Sequence, residues 1–306
     1  MKLFSGSANP KLTEEVAKLL SIPVAKSEVI RFGNSEVRVR IEEDVADEVC
    51  YVIQPTSNPT DTHLMELFFF ADALKRGDAQ KIIAIIPYFG YARQNIQHRA
   101  GECVSVNVVI NFLETIGFHE VITFDLHDEA TEGIFAIPFF DLTTFSILAN
   151  SVVEYLGKEN INIKDIMIVS PDQGGVERAR RFGSHLFGVD DFPITVIEKN
   201  RDKDVIHKSE AVAIYGDVEN KTVILIDDIL TSGGTMFNAA ELCLSKGAKK
   251  IIGAVVHHDF APNIAQKINE SALTKLFTTN TITLRKEDVT DKVVVTSIAS
   301  LIADKI

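Results

Sequence analysis

The chain has 306 residues, 46% of them hydrophobic and 24% charged, with a formal net charge of −12. This is the composition of an ordinary globular protein with room for two domains. Its acidic balance argues against a general binder of nucleic acid or anionic membrane, which needs a basic face. Any polyanionic ligand must therefore be met locally, by loop amides, a few Lys or Arg side chains and metal ions. The opening MKLFSGSANP lacks the apolar core of a signal peptide, and no apolar run approaches the length of a bilayer span. Cys50, Cys103 and Cys243 are scattered, without a CxxC pair. That pattern reads as reduced thiols in a cytoplasmic protein, with neither nucleic acid nor membrane as partner.

In chain order, Asn9-Pro10 opens the first helix, as a cap followed by proline should. Val/Ile-rich runs then predict strands at 48–55, 81–88, 120–127, 166–172, 194–199, 222–228, 250–258 and 293–298. Amphipathic segments such as THLMELFFFADALKRG, SVNVVINFLETIG and FNAAELCLSKG lie between them, with Gly77, Gly117 and Gly247 closing helices. Alternation of helices with nearly continuous apolar strands predicts parallel sheets covered on both faces. GIFAIPFFDLTTF, residues 133–145, is loop-like and marks the domain boundary. The expected fold is α/β: two stacked domains, 1–145 and 146–306, with the last strand or helix returning to the first.

Ligands of open α/β sheets sit at the carboxyl ends of strands. Four of the predicted strands end in reactive residues: DLH (125–127), SPDQGG (170–175), EKNRD (198–202) and DDILTSGGT (227–235). In the last, Asp227 and Asp228 follow a buried strand, and Thr231, Ser232, Gly233, Gly234 and Thr235 make a turn before a helix. Such a turn, with the helix N-terminus, can hold an anion. No Lys follows the glycines, which excludes the Walker-type nucleotide loop. Carboxylates beside an anion cradle suit a ligand that also carries hydroxyl donors or a metal ion. A pentose phosphate has both parts, its phosphate for the turn and its ring hydroxyls for the aspartates. His257-His258-Asp259 is a weaker metal candidate, because neighbours on a strand point to opposite faces.

VILIDDILTSGGT (223–235) resembles the phosphoribosyl pyrophosphate loop shared by phosphoribosyltransferases and ribose-phosphate pyrophosphokinases. The other landmarks resemble the pyrophosphokinase family and fall in its order: FSGSANPKLTEEVA, RFGNSEVRV, QPTSNPTDTHLMEL, IPYFGYARQ, DLH, PDQGG, GDVENKTVILIDD and TNTI. The resemblance implies two phosphoribosyltransferase-like domains, each a mainly parallel sheet flanked by helices. It also implies transfer of the β,γ-diphosphoryl group of ATP to the anomeric hydroxyl of ribose 5-phosphate, giving phosphoribosyl pyrophosphate and AMP. By the same resemblance Phe32, Asn34, Glu36, Arg93 and Gln94 bind ATP, the first three in a neighbouring subunit's pocket. Asp227, Asp228 and residues 231–235 bind ribose 5-phosphate. His127 and Asp172 serve Mg²⁺ and the polyphosphate, and His127, Lys199 and Arg201 act in catalysis. A homo-oligomer follows, at least a dimer, with the hexamer of the common branch as the larger form.

Two departures from the family pattern stand out. Thr231 replaces the usual Asp, and Ala100-Gly101-Glu102 replaces a Lys/Arg/Ser-rich stretch; both are closer to the archaeal branch. Two other readings stay open. A phosphoribosyltransferase would release pyrophosphate and would not need the ATP-side residues, and a catalytically silent regulatory homologue would bind without turnover.

Overall fold

The structure is a computed structural model that describes residues 1–201 and 209–306, and of residues 199–201 and 209–212 the backbone alone. The chain forms two compact units. One comprises 1–143, 281–283 and 297–306, and the other 144–280 and 284–296.

In the first unit β1 (Lys2–Ser5) leads into α1 (Pro10–Leu20), and a hairpin follows from β2 (Ser27–Arg31) and β3 (Val37–Ile41). Next come β4 (Val49–Ile53), α2 (Thr60–Arg76), β5 (Lys81–Ile86), α3 (Ser105–Ile116), β6 (Glu120–Phe124) and β7 (Phe139–Leu142). Five strands form one parallel sheet in the order β1-β4-β5-β6-β7, and β2 and β3 pair antiparallel by themselves. The capping signals act as the sequence suggests: the Asn9 side chain accepts from the Leu12 N–H and Pro10 opens α1. The stretch 133–145 is not simply a loop, because it contains edge strand β7 beside β6. Four residues bounded by Pro138 are too few for periodicity to reveal. The final helix, Ala299–Lys305, also belongs to this unit and packs on α1.

A buried polar network fixes the turn after β1. Glu66, on α2, is fully buried. It accepts from the Ser7 N–H at 2.6 Å, the Ser7 hydroxyl at 2.6 Å and the Gln54 side-chain amide at 3.0 Å. Gln54 in turn accepts from the Ala8 N–H at 3.1 Å. The backbone donors of this turn thus find partners on the buried side chains of Glu66 and Gln54.

The second unit contains α4 (Phe145–Lys158), β8 (Ile166–Ser170), α5 (Val176–Phe187), β9 (Ile194–Arg201), β10 (Ser209–Tyr215), β11 (Thr222–Ile229) and α6 (Gly234–Ser245). β12 (Lys250–His257), α7 (Ile264–Glu270), β13 (Lys275–Thr279) and β14 (Val293–Thr296) complete it. Its seven strands run β10-β9-β8-β11-β12-β13-β14, all parallel except the β10/β9 pair. The last strand, β14, therefore lies in this unit's sheet. β11 shows why: Val223 and Leu225 join one apolar cluster with Met236, Ala239 and Ala240 of α6, while Ile224 and Ile226 join another with Leu148 and Phe182 of α4 and α5. Both faces are covered, so the strand reads as an unbroken apolar run. Strand order reverses between β8 and β11. Their carboxyl ends therefore flank the position where open α/β sheets form a ligand crevice.

Among the described residues no helix is long and apolar enough to cross a membrane. Cys50 and Cys243 are buried, and burial pushes their thiols up to about 11 and about 12, while Cys103 is exposed. One consequence of the buried network can be measured. Glu66→Gln, which replaces an accepting oxygen with a donor facing Ser7, should destabilise the first unit by about 1–3 kcal/mol. Thermal unfolding followed by circular dichroism reports it, and an unchanged midpoint would contradict the network's role.

Candidate active site

The second unit places two of the predicted motifs side by side, because β8 and β11 are paired neighbours. After β8, the Asp172 carboxylate accepts from the Gly175 N–H at 3.1 Å, and its carbonyl accepts from the Ser170 hydroxyl at 2.6 Å. The turn 171–175 is thus folded tightly around Asp172. Asp227 and Asp228 lie within the last three residues of β11, one step earlier than a turn position.

Arg178, two residues into α5, reaches both aspartates with one nitrogen. Its Nη1 lies 3.0 Å from Asp227 Oδ1 and 3.5 Å from Asp228 Oδ1. Asp227 Oδ1 also accepts from the Asp228 N–H at 3.0 Å. Burial raises the proton affinity of Asp227 well above the ordinary carboxylate range. Asp228 raises it further, and Arg178 opposes both. Two close carboxylates at a buried strand end cannot both stay charged without a cation. Sequence reading missed Arg178. The available signal was an Arg in the first turn of the helix that follows PDQGG.

The turn after β11 combines backbone freedom with close approach. Gly233 has φ of +78°, and a Cβ there would lie 2.1 Å from the Phe237 ring. Only glycine meets both demands. Gly233 caps α6 without a side-chain hydrogen bond, so the first N–H groups of that helix are not capped by a side chain. Ser232 and Gly234 are exposed and Thr235 is half-buried. This is the arrangement that receives an anion at a helix start. Thr231 differs from its neighbours. Its hydroxyl is buried without a hydrogen-bond partner among the described residues, and its carbonyl accepts from the Ala261 N–H at 3.1 Å.

In the first unit, β5 and β6 are paired, so the turns that follow them are adjacent. Arg93 and Gln94 lie in the first turn, Arg93 exposed and Gln94 held through its side-chain oxygen by the Ser105 hydroxyl at 2.6 Å. His127 is exposed in the second turn, two residues after Asp125, whose φ is +43°. The Thr143 hydroxyl donates to Asp125 at 3.0 Å, and both Asp141 oxygens accept from the Leu126 N–H. A bond from Asn95 to Asp128 ties the two turns together. Arg93, Gln94 and His127 thus share one sheet edge. Phe32, Asn34 and Glu36 occupy the hairpin turn between β2 and β3, outside that sheet. Phe32 is 43% exposed, an apolar ring left in solvent at a turn tip, with Arg38 over its face. Lys199 and Arg201 lie at the end of β9, and their side chains fall outside what the structure describes.

Among the described residues no group of three or more His, Cys, Asp or Glu side chains converges to hold a metal ion. The carboxylates of Asp172, Asp227 and Asp228 are hard oxygen donors, the kind that Mg²⁺ takes together with waters and substrate phosphates. His257 and His258 do not form such a group. His258 is buried, with Nδ1 3.1 Å from the Thr278 hydroxyl.

Fold and site together define a protein of two phosphoribosyltransferase-type α/β units, the second with a glycine turn into α6 and an acidic pair at its strand-order reversal. Residues 1–117 match the N-terminal domain of ribose phosphate pyrophosphokinase, and residues 146–290 match the phosphoribosyl transferase domain. The chain is 39% identical to a ribose-phosphate pyrophosphokinase of Bacillus subtilis, covering all of this chain and 93% of that one. It is 38% identical to one of Thermotoga maritima, covering all of this chain and 94% of that one. The crystal structure of phosphoribosylpyrophosphate synthetase from Mycobacterium smegmatis superposes with a TM-score of 0.90 at 34% identity, over 99% of this chain and 96% of that one. The chain belongs to the ribose-phosphate pyrophosphokinase family.

Burial and the neighbouring His257 push the His258 pKa from 6.5 down to about 3. The folded state therefore binds fewer protons than the unfolded state between these values. Stability is complete above pH 6.5 and is lost as pH falls towards 3. At pH 5.5 the loss from this residue should be on the order of 1 kcal/mol. Unfolding of wild type and His258→Gln compared at pH 7.5 and 5.5 measures it, and parallel pH dependence would contradict it.

Proposed function

We propose that the chain transfers the β,γ-diphosphoryl group of ATP to the anomeric hydroxyl of ribose 5-phosphate, releasing phosphoribosyl pyrophosphate and AMP. The anomeric oxygen forms a bond to the β-phosphorus as the bond from that phosphorus to the AMP oxygen breaks. One observation carries this reading: an uncapped, glycine-shaped helix start directly follows an acidic pair at the carboxyl end of β11. Full-length similarity to ribose-phosphate pyrophosphokinases supports it independently.

In this reading the amides and hydroxyls of residues 231–235 hold the 5-phosphate, and Asp227 and Asp228 accept from the ring hydroxyls. Thr231 contributes through its backbone, since its hydroxyl is buried. Arg93, Gln94 and His127 meet ATP, and Phe32, Asn34 and Glu36 complete the adenine pocket of a neighbouring copy, so the active form is a homo-oligomer. The exposed Phe32 ring supports that assignment. Asp172 of the second unit and His127 of the first are each candidates to meet Mg²⁺ or the substrate phosphates that carry it. Bound there, the ion neutralises charge on the polyphosphate and helps to align it. Lys199 and Arg201 stabilise the negative charge that grows in the transition state, when positioning and cations matter most. With a net charge of −12, the protein gains the attraction of two anionic substrates from these local groups alone.

The purified chain supplied with ATP, Mg²⁺ and ribose 5-phosphate should form AMP and phosphoribosyl pyrophosphate, and no AMP when the sugar is omitted. ³¹P NMR resolves all of these species. Pyrophosphate release from phosphoribosyl pyrophosphate and a base would favour the transferase reading, and no turnover at all would favour the silent homologue. Lys199→Ala should lower kcat by about 10²–10³-fold while both KM values move little. Intact turnover would remove Lys199 from the mechanism.

A further inference from the structure

Arg178 belongs to none of the motifs that carry the family resemblance, yet it forms ion pairs with both acids of β11. Adjacent residues on a strand ordinarily point to opposite faces, so Asp227 and Asp228 do not meet through strand geometry alone. One nitrogen of Arg178 lies 3.0 Å from an oxygen of the first and 3.5 Å from an oxygen of the second. All three side chains are largely buried, at 17%, 16% and 7% exposure. Screening by water is weak there, and removing the cation would leave two carboxylates facing each other.

The turn after β8 packs close beside this cation. A Cβ at Gly175 would lie 2.8 Å from the Ser170 hydroxyl and 3.4 Å from Arg178 Nη1. The last glycine of PDQGG thus leaves room for the Ser170 hydroxyl, and the guanidinium lies at contact distance beside it. Its N–H meanwhile donates to Asp172. Arg178 bridges two strand ends, anchored on the helix that follows β8 and paired with the acids of β11.

We propose that Arg178 is a positioning residue: it draws the carboxylates of Asp227 and Asp228 to one side and holds them there to receive the sugar hydroxyls of ribose 5-phosphate. This rests on the functional reading above. Arg178 organises the pair before the sugar arrives and remains through the reaction. Its contribution is therefore the same in ground state and transition state. Such uniform binding appears in KM and not in kcat. Because a single nitrogen makes both contacts, a Lys ammonium can supply much of the effect, although its reach is shorter and it offers no planar fork.

The test compares wild type, Arg178→Gln, Arg178→Lys and Asp227→Asn in steady-state kinetics with each substrate varied, alongside thermal unfolding. Arg178→Gln should raise KM for ribose 5-phosphate by about tenfold or more, with kcat and KM for ATP within about twofold. Arg178→Lys should recover most of that loss, which a merely structural role does not predict. Asp227→Asn should also raise KM for the sugar. The proposal is overturned if Arg178→Gln leaves that KM unchanged, if it shifts both KM values alike, or if Arg178→Lys is as impaired as Arg178→Gln. Should Arg178→Gln fail to fold, a folded Arg178→Lys decides: a sugar KM within about threefold of wild type supports the proposal, and about tenfold or more overturns it. An effect of Asp227→Asn without one of Arg178→Gln sinks this inference alone. A wild-type chain that forms no AMP sinks the functional reading with it.

Discussion

A strand covered on both faces has room for charge only at its ends. β11 is such a strand, with alternate residues packed into two separate apolar clusters. Its parallel pairing with β8 sets the carboxyl ends of the two strands beside each other. From that constraint follow the position of Asp227 and Asp228, their nearness to the turn at Asp172, and the start of α6 just beyond. Slipping the register by one residue would exchange the two faces and place a carboxylate among the apolar side chains that cover the sheet.

The concentration of charge at that edge carries an electrostatic cost. Burial and mutual repulsion both raise the proton affinity of Asp227, and Arg178 works against them. Phosphate and sugar call for opposite surroundings, amides and positive charge for one, acceptors for the other. Under the proposed reading one connection meets both demands, because the acids stand on a strand that is followed by the turn into α6. The acidic pair lies in the strand and the glycine turn comes after it, so that reading asks neither to serve the other's ligand group.

The first unit meets a related problem with neutral partners. Glu66 is buried without a cation in its hydrogen-bond set and is held by two donors of Ser7 and one of Gln54. Hydrogen bonds from a backbone N–H, a hydroxyl and an amide substitute for water around the charge. The outcome is a fixed turn at the carboxyl end of β1. Asn95 and Asp128 do the same for the turns after β5 and β6. Loops at the carboxyl edges of both sheets are thus fastened by polar contacts between residues distant in sequence.

The sequence by itself determined the α/β class, the eight strands with long apolar runs, and the family, because these depend on local periodicity and on contiguous motifs. VILIDD announced a buried strand ending in acids, and SGGT announced a turn into a helix. Strands β1, β2, β3, β7 and β10 were not legible, being short, at sheet edges or in the separate hairpin, where pairing rather than pattern decides; β13, an interior buried strand, was missed because KLFTT has only two apolar residues. The tertiary structure alone decided which strand ends became neighbours, and hence that Arg178 would face Asp228 and, from 49 residues away in the chain, Asp227. It also decided that the Thr231 hydroxyl would be buried although its neighbour Ser232 is exposed. Local residue order governs backbone preference and burial period. A contact across a sheet depends on which strands pair, and no short stretch of sequence contains that information.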